Sequence, residues 1–486
     1  MSAPVDTARV GGWSAAGLGP EEFRALCARI AVTLNLDYND DLHHLTSLFR
    51  YSETLSVGRV REAWRSHLAE PRSSLRGIGL YLHVPFCEAL CSFCFCPTSV
   101  PDKADKLESY AESVIREIDY FAPIFAGRAF QSFFVGGGSP SLLSAQQLRR
   151  TLGRCAKRFT FEPGALLSIE ANPKSTDPDK LAAMREAGFN RISFGVQSMN
   201  PRVLESINRA YQTEEMVAAA VEEARRAGFD EINLDFLLGL QSDDERSFLD
   251  TFRRVARLRP TTLTVCGLSL TEGYVRSNRL DRGSYEAKYE ELIARMLEPM
   301  GKAAAEEGYR CDWLVPQSGS WVFMAEDCPR PVLERMERCY SIDKGPSSIF
   351  GLGPHSQSRV FGGWLYERSG TSKRDFTEDE GVYLARPVSL KQEMMRHILY
   401  TFEIDSGLPR APFQEMFGVD PLEPFQGEFA ALEALGQVRI LPDRIDFLPQ
   451  GAASRYVHSM MLLRDILHEL PLSAQGFRKQ RLEAGL

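Results

Sequence analysis

Four cysteines fall within ten residues, Cys87, Cys91, Cys94 and Cys96, in the run Y-L-H-V-P-F-C-E-A-L-C-S-F-C-F-C from Tyr81 to Cys96. The other six of the ten, Cys27, Cys155, Cys266, Cys311, Cys328 and Cys339, are scattered and read as small buried hydrophobes. Neither a signal-peptide core nor an apolar run of membrane-spanning length is visible, so a cytoplasmic protein with reduced thiols is expected. Four reduced thiols on one short loop are an oxidation liability unless something binds them. The spacing C-x3-C-x2-C lets three thiolates converge on one centre at little chain-closure cost. Structural zinc usually takes two paired half-sites and a fourth protein ligand. Cys96, only two residues past Cys94, would make a strained fourth ligand. Iron–sulfur ligation suits soft thiolates equally, and a cubane held by three would leave one iron open. Phe86, Phe93 and Phe95 would shield such a cluster from water. Spacing favours the cluster and leaves zinc as the alternative.

Other polar and glycine-rich positions could join that loop. F-F-V-G-G-G-S-P-S (Phe133–Ser141) ends one strand-like run with Gly136, Gly137, Gly138 and Ser139, where missing Cβ atoms would let backbone approach a ligand. A flexible turn explains the same glycines. Glu170, Asn172, Gln197 and Asp235 stand at the ends of three further runs. Each alone is compatible with a satisfied structural polar group, whereas together at one barrel mouth they would form a ligand cage. A second glycine-rich stretch, F-G-L-G-P-H-S (Phe350–Ser356), contributes Gly351, Gly353 and His355.

These residues need a scaffold that brings strand ends together. From Gly77 onward, short β-rich runs at 77–84, 132–135, 166–171, 191–196, 231–238 and 263–270 alternate with amphipathic stretches. Helices are expected at 103–125, 145–158, 177–187, 213–228, 243–258 and 285–307. Six strand–helix units predict parallel strands in an α/β fold, a partial (β/α)6-type barrel. The expected organisation is a helical N-terminal extension over 1–76, the barrel over 77–315, and a turn-rich cap or connector over 316–388. A small α+β, winged-helix-like domain is expected over 389–486, with a hairpin at 438–448 and a last helix at 452–470. The 486 residues carry a net charge of −8, with 44% hydrophobic and 25% charged residues, which excludes disordered and collagenous classes. That mild acidity argues against a nucleic-acid or anionic-membrane partner.

The cysteine spacing after a strand, with an aromatic before the third cysteine, resembles the signature of radical S-adenosylmethionine (SAM) enzymes. Y-x-H-x-P-F-C and the extra Cys96 resemble one branch, the oxygen-independent coproporphyrinogen dehydrogenases and their HemN-like relatives. The resemblance implies that Cys87, Cys91 and Cys94 hold a [4Fe–4S] cluster whose open iron binds the amino and carboxylate groups of SAM. It assigns Gly136, Gly137, Gly138 and Ser139 to the SAM amino group and Glu170 to the SAM region. Gln197 and Asp235 are assigned to ribose hydroxyls, Arg209 to the SAM carboxylate and Tyr81 to the sulfonium. Gly351, Gly353 and His355 match a stretch that binds a second SAM in some members. The family also implies an electron donor such as a flavodoxin or ferredoxin and a small-molecule substrate.

The match departs from the dehydrogenases at three places. His44–Tyr51 lacks their N-terminal Tyr-Thr-x-Tyr-Pro motif, Leu268–Gly273 stands where they have Tyr-Ala-His, and Glu337 and Arg338 replace a Phe-Gln pair. The resulting expectation is methyl or methylene transfer from a second SAM to an sp2 carbon. Oxidative decarboxylation of coproporphyrinogen III and haem chaperoning are the alternatives.

Overall fold

A computed structural model describes residues 53–448, except 72, 74–76, 104, 269–271, 316–319, 336–346, 370–375, 377–381, 405–406 and 435–437. Residues 1–52 of the expected helical N-terminal extension, with His44–Tyr51 among them, Glu337, Arg338 and the helix expected at 452–470 lie outside the described residues.

Strand β1 (Glu53–Ser56) and helix α1 (Val57–Ala69) precede the barrel. The barrel strands are β2 (Ile78–Val84), β3 (Ala129–Gly137), β4 (Thr160–Ala171), β5 (Arg191–Gln197), β6 (Glu231–Leu238) and β7 (Thr262–Gly267). Each pairs with the next in parallel. The connections carry α2 (Asp105–Phe121), α3 (Ala145–Arg158), α4 (Pro178–Glu186), α5 (Pro201–Ser206), α6 (Glu214–Arg226) and α7 (Glu245–Arg257). With the helix Arg282–Glu306 after β7, the six expected strand–helix units are present.

Local chemistry sets these boundaries. Ser144, Asp177, Thr213 and Asp244 each accept a backbone N–H at a helix start, and Ser144 with Gln147 completes a reciprocal capping box. In α3 the buried positions Leu148, Thr151, Leu152 and Cys155 recur at helical spacing, so one stripe faces the sheet. Cys155 is thus a packing residue, as its scattered position suggested.

The parallel core lies inside a 13-stranded sheet. Beyond β7, β9 (Ser320–Ala325) and then β8 (Tyr309–Val315) continue antiparallel. On the other side β10 (Ser348–Leu352) pairs with β2 in parallel. Antiparallel β11 (Gln357–Val360), β12 (Trp364–Arg368), β13 (Val382–Pro387) and β1 follow. Residues 348–387, within the segment expected as a cap or connector, thus contribute strands to the main sheet. Their sequence signal is weak because the strands are short and separated by glycine turns. The sheet order runs from β1 to β8 without closing, which makes the barrel partial.

Glu117 of α2, fully buried, locks this side of the sheet. Its carboxylate accepts from the Arg368 guanidinium, from Tyr383 Oη at 3.1 Å and from the Gly353 backbone N–H at 2.9 Å. A charge this deep is tolerable only when paired and hydrogen-bonded, and here it is both. The C-terminal part has helices at Leu390–Ile404, Arg410–Phe417 and Gln426–Ala434. Beside them stands a three-stranded antiparallel sheet of Gly407–Pro409, Arg444–Phe447 and Val438–Ile440. No helix among the described residues is long and apolar enough to cross a membrane.

Candidate active site

The cysteine loop leaves β2 at Val84 and is pinned to the barrel on both sides. Gly138 N–H donates to Val84 O and Ser139 N–H to Phe86 O, both at 2.7 Å, while Cys87 N–H reaches Ser99 O at 3.0 Å. These bonds require a close approach at Gly138, where a Cβ would stand 2.4 Å from Phe86 O. The glycine run is therefore fixed by the loop it supports. On the far side, Asn208 Nδ2 donates to Leu90 O at 3.2 Å and Lys174 pairs with Glu88 at 3.1 Å.

Cys87, Cys91, Cys94 and Cys96 line one cavity with Gly137, Gly138, Ser139, Glu170, Asn172, Gln197, Arg209 and Asp235. The ends of β3, β4, β5 and β6 and the cysteine loop thus meet as expected. Arg209 follows α5 and is 9% exposed, with Nε donating to Cys91 Sγ at 3.2 Å. Its other contacts are neutral acceptors, Gly195 O at 2.5 Å and Gln212 Oε1 at 3.3 Å. A buried guanidinium among neutral partners keeps its attraction for an anion.

Glu170 is held by Gly137 N–H at 3.2 Å. Burial, reinforced by Asp235, pushes its carboxyl up to about 8 despite that donor. Gln197 sits at φ 69 beside an irregularity in the β5–β6 register between Gly195 and Gln197. Such a bulge re-aims a side chain at the end of a strand. Asn172 caps the turn after β4 by accepting Lys174 N–H, and its Nδ2 donates to Tyr211 Oη at 2.8 Å. Its structural role is satisfied although it borders the cavity.

Tyr81 lies beside this cavity, stacked on Phe134 with ring centroids 5.9 Å apart. Its hydroxyl meets His83 Nδ1 at 2.7 Å, and His83 Nε2 meets Pro97 O at 3.2 Å. A carbonyl can only accept, so Nε2 carries the imidazole proton and Tyr81 donates to Nδ1. Burial holds His83 down to about 4, so the ring is neutral. His83 is also the residue on which both glycine-rich loops converge. A Cβ at Gly137 would stand 2.6 Å from its ring, and one at Gly353 2.6 Å from its carbonyl oxygen. Gly136 is constrained by Phe134 and Glu170 in the same way. Gly351 pairs with Tyr81 in the β2–β10 register, and a Cβ there would stand 2.6 Å from Gln357 O. Close chain packing therefore explains both Gly351 and Gly353. His355, at φ 63, faces His83 at 6.1 Å between ring centroids and bonds Glu367 through Nδ1 at 3.3 Å.

Several residues of the site escape a reading of strand ends alone. Ser193 and Tyr211 line the cavity, while Asn233 sits beneath it, 0% exposed. The signal was alternation, since Asn233 shares a strand face with Asp235 and Ser193 shares one with Gly195.

Comparison with known proteins agrees with this geometry. The family model described as the radical SAM superfamily matches residues 81–255. The oxygen-independent coproporphyrinogen III oxidase of Escherichia coli (strain K12) is 39% identical over 190 residues, 39% of this chain and 41% of that protein. The protein of that name from Bradyrhizobium diazoefficiens is 33% identical over 370 residues, 74% of this chain and 79% of its own length. A solved structure described as coproporphyrinogen III oxidase (HemN) from Escherichia coli, a radical SAM enzyme, superposes with a TM-score of 0.66. It is 25% identical and covers 82% of this chain and 93% of its own.

The donor set fits the cofactors this family carries, a [4Fe–4S] cluster and SAM. Three soft thiols on a pinned loop face one cavity, a buried guanidinium stands beside them, and side-chain-free backbone forms one wall. With 33% identity spanning most of a relative's length and the cysteine loop, guanidinium and acidic strand ends around one cavity, the chain belongs to the radical SAM superfamily, in its HemN-like branch.

Proposed function

We propose that this protein is a radical SAM oxidoreductase that takes a hydrogen atom from a propionate side chain of a porphyrinogen, leading to oxidative decarboxylation. The observation that carries this reading is the Bradyrhizobium diazoefficiens relative, named coproporphyrinogen III oxidase and matched over 79% of its length. When bound, the cluster and SAM would supply the one-electron chemistry that generates a hydrogen-abstracting radical.

The chain's own contribution is orientation and exclusion. Cys87, Cys91 and Cys94 would hold the cluster, and Arg209, anchored beside Cys91, would pair with the SAM carboxylate. Gln197 and Asp235 take ribose hydroxyls, and Gly136–Ser139 offer backbone to the amino group. Glu170, its carboxyl pushed up to about 8 by burial and by Asp235, stands on that side and accepts from Gly137 N–H. Tyr81 presents its ring toward the sulfonium, held by Phe134 and His83. Phe86, Phe93 and the half-buried cysteine loop limit access of water and oxygen. An external one-electron donor, such as a flavodoxin or ferredoxin, starts the reaction. Methyl transfer remains the rival outcome, and none of the relatives just named is a methyltransferase.

The test is anaerobic incubation of the reconstituted enzyme with coproporphyrinogen III, methyl-deuterated SAM and a chemical reductant. Carbon dioxide released with 5′-deoxyadenosine supports the proposal, and both should vanish in Cys87→Ala. Deuterium entering a product without carbon dioxide loss would install alkyl transfer in its place. Haem binding with no SAM cleavage would favour a chaperone.

A further inference from the structure

Beneath the cavity, the barrel floor carries polar side chains below one carboxylate, and every hydrogen-bonding position of the central amide is used. Asn233 of β6 is 0% exposed and lies two residues before Asp235, on the same strand face. Its Nδ2 donates to Asp235 Oδ1 at 2.7 Å and to Ser193 Oγ at 2.8 Å. Its Oδ1 accepts from Thr262 Oγ1 at 2.8 Å and Thr264 Oγ1 at 2.9 Å. Two donors and two acceptor positions are thereby filled, and a flipped amide would set its oxygen against the carboxylate. The Ser193 hydroxyl, already accepting from Asn233, directs its single hydrogen to Asp235 Oδ2 at 2.5 Å.

Each oxygen of Asp235 therefore receives one donor from the floor and keeps acceptor capacity on the cavity side. A carboxylate held in this way has a fixed plane and offers two parallel acceptors, the pattern that matches the adjacent hydroxyls of a ribose. We infer that Asn233 and Ser193, backed by Thr262 and Thr264, are positioning residues that orient Asp235 to select an intact ribose diol in the SAM site. The inference rests on the reading that Asp235 faces the SAM ribose. A freely rotating carboxylate would still bind one hydroxyl but would discriminate poorly between ribose and deoxyribose.

The test uses the cluster-reconstituted protein and calorimetric titration with S-adenosylhomocysteine and its 2′-deoxy analogue. The natural protein is expected to prefer the ribose compound at least tenfold, the loss of a hydrogen bond to a charged group being worth roughly 10- to 100-fold. Asn233→Leu, which leaves Thr262 the Glu231 carboxylate at 3.3 Å as an acceptor, should weaken the ribose compound about tenfold and bring the two ligands within roughly threefold. Ser193→Ala should move both readings in the same direction. In an Asp235→Asn background, adding Asn233→Leu should cause no further loss, because its effect passes through Asp235. Thermal unfolding of each variant separates this from a general loss of structure, and if Asn233→Leu does not fold, Ser193→Ala in the same cycle decides. Natural affinity and discrimination in folded Asn233→Leu or Ser193→Ala, with affinity lost in Asp235→Asn, would overturn the clamp alone. Natural affinity in Asp235→Asn would overturn the ribose reading on which it rests.

Discussion

Gly138→Ala is the sharpest perturbation of the cluster loop, because the atoms it meets cannot rotate away. A Cβ at this position would stand 2.4 Å from Phe86 O, 2.8 Å from Phe86 C and 2.9 Å from Phe86 N, all backbone. Ordinary contact begins near 3.4 Å, so the loop must retreat by about 1 Å at the residue preceding Cys87. That retreat stretches the 2.7 Å bonds from Gly138 N–H to Val84 O and from Ser139 N–H to Phe86 O. Overpacking of this kind costs about 1–3 kcal/mol, enough to lower the melting temperature by a few degrees while leaving the barrel folded. A 1 Å misplacement of cofactor-holding groups is worth about 100-fold in rate. Gly153→Ala supplies the control, since nothing lies within 4 Å of its added Cβ and it sits inside α3. Alanine there should stabilise by up to about 1 kcal/mol. The assay pairs thermal unfolding with iron and sulfide content after anaerobic reconstitution and with 5′-deoxyadenosine formation. Gly138→Ala with the natural iron content and SAM cleavage would refute the close-approach argument.

Two further outcomes follow from the same geometry. Arg209→Lys keeps the charge but cannot reach Cys91 Sγ, Gly195 O and Gln212 Oε1 together, so S-adenosylhomocysteine affinity should fall at least tenfold on titration, with little change in melting temperature. The cluster-free protein should show two opposed pH dependences in denaturant titrations. His83, lowered from 6.5 to about 4, contributes stability above pH 6.5 that is lost as pH falls through that window, at most about 3 kcal/mol. Glu170, raised from 4.5 to about 8, acts in the opposite sense, and stability present below pH 4.5 is lost as pH rises toward 8. Glu170→Gln should therefore gain on the natural protein as pH rises from 5 to 8, and a parallel pair of curves would count against the raised carboxyl.

Periodicity and punctuation in the sequence located the barrel. Apolar runs such as I-G-L-Y-L-H-V announced β2, and amphipathic stretches announced the helices between the strands, because both signals are local. The grouping of Cys87, Cys91 and Cys94 was legible for the same reason, since three thiols that line one cavity lie within eight residues. The strand-end residues Glu170, Gln197 and Asp235 were legible because buried parallel strands rarely end on polar groups without cause. Beyond that range the sequence was silent. The sheet pairing of β10 with β2, which sets Gly351 opposite Tyr81, joins residues about 270 positions apart, and short glycine-bounded strands carry no pairing code. Only the packed structure shows that His83 meets both glycine-rich loops and that Glu117 reaches across to Arg368 and Gly353. The same holds for Asn233, whose amide looks like any buried polar residue until Thr262, Thr264, Ser193 and Asp235 surround it. Local residue type thus determined which groups were available for chemistry, and the long-range packing of strands decided how they are aimed.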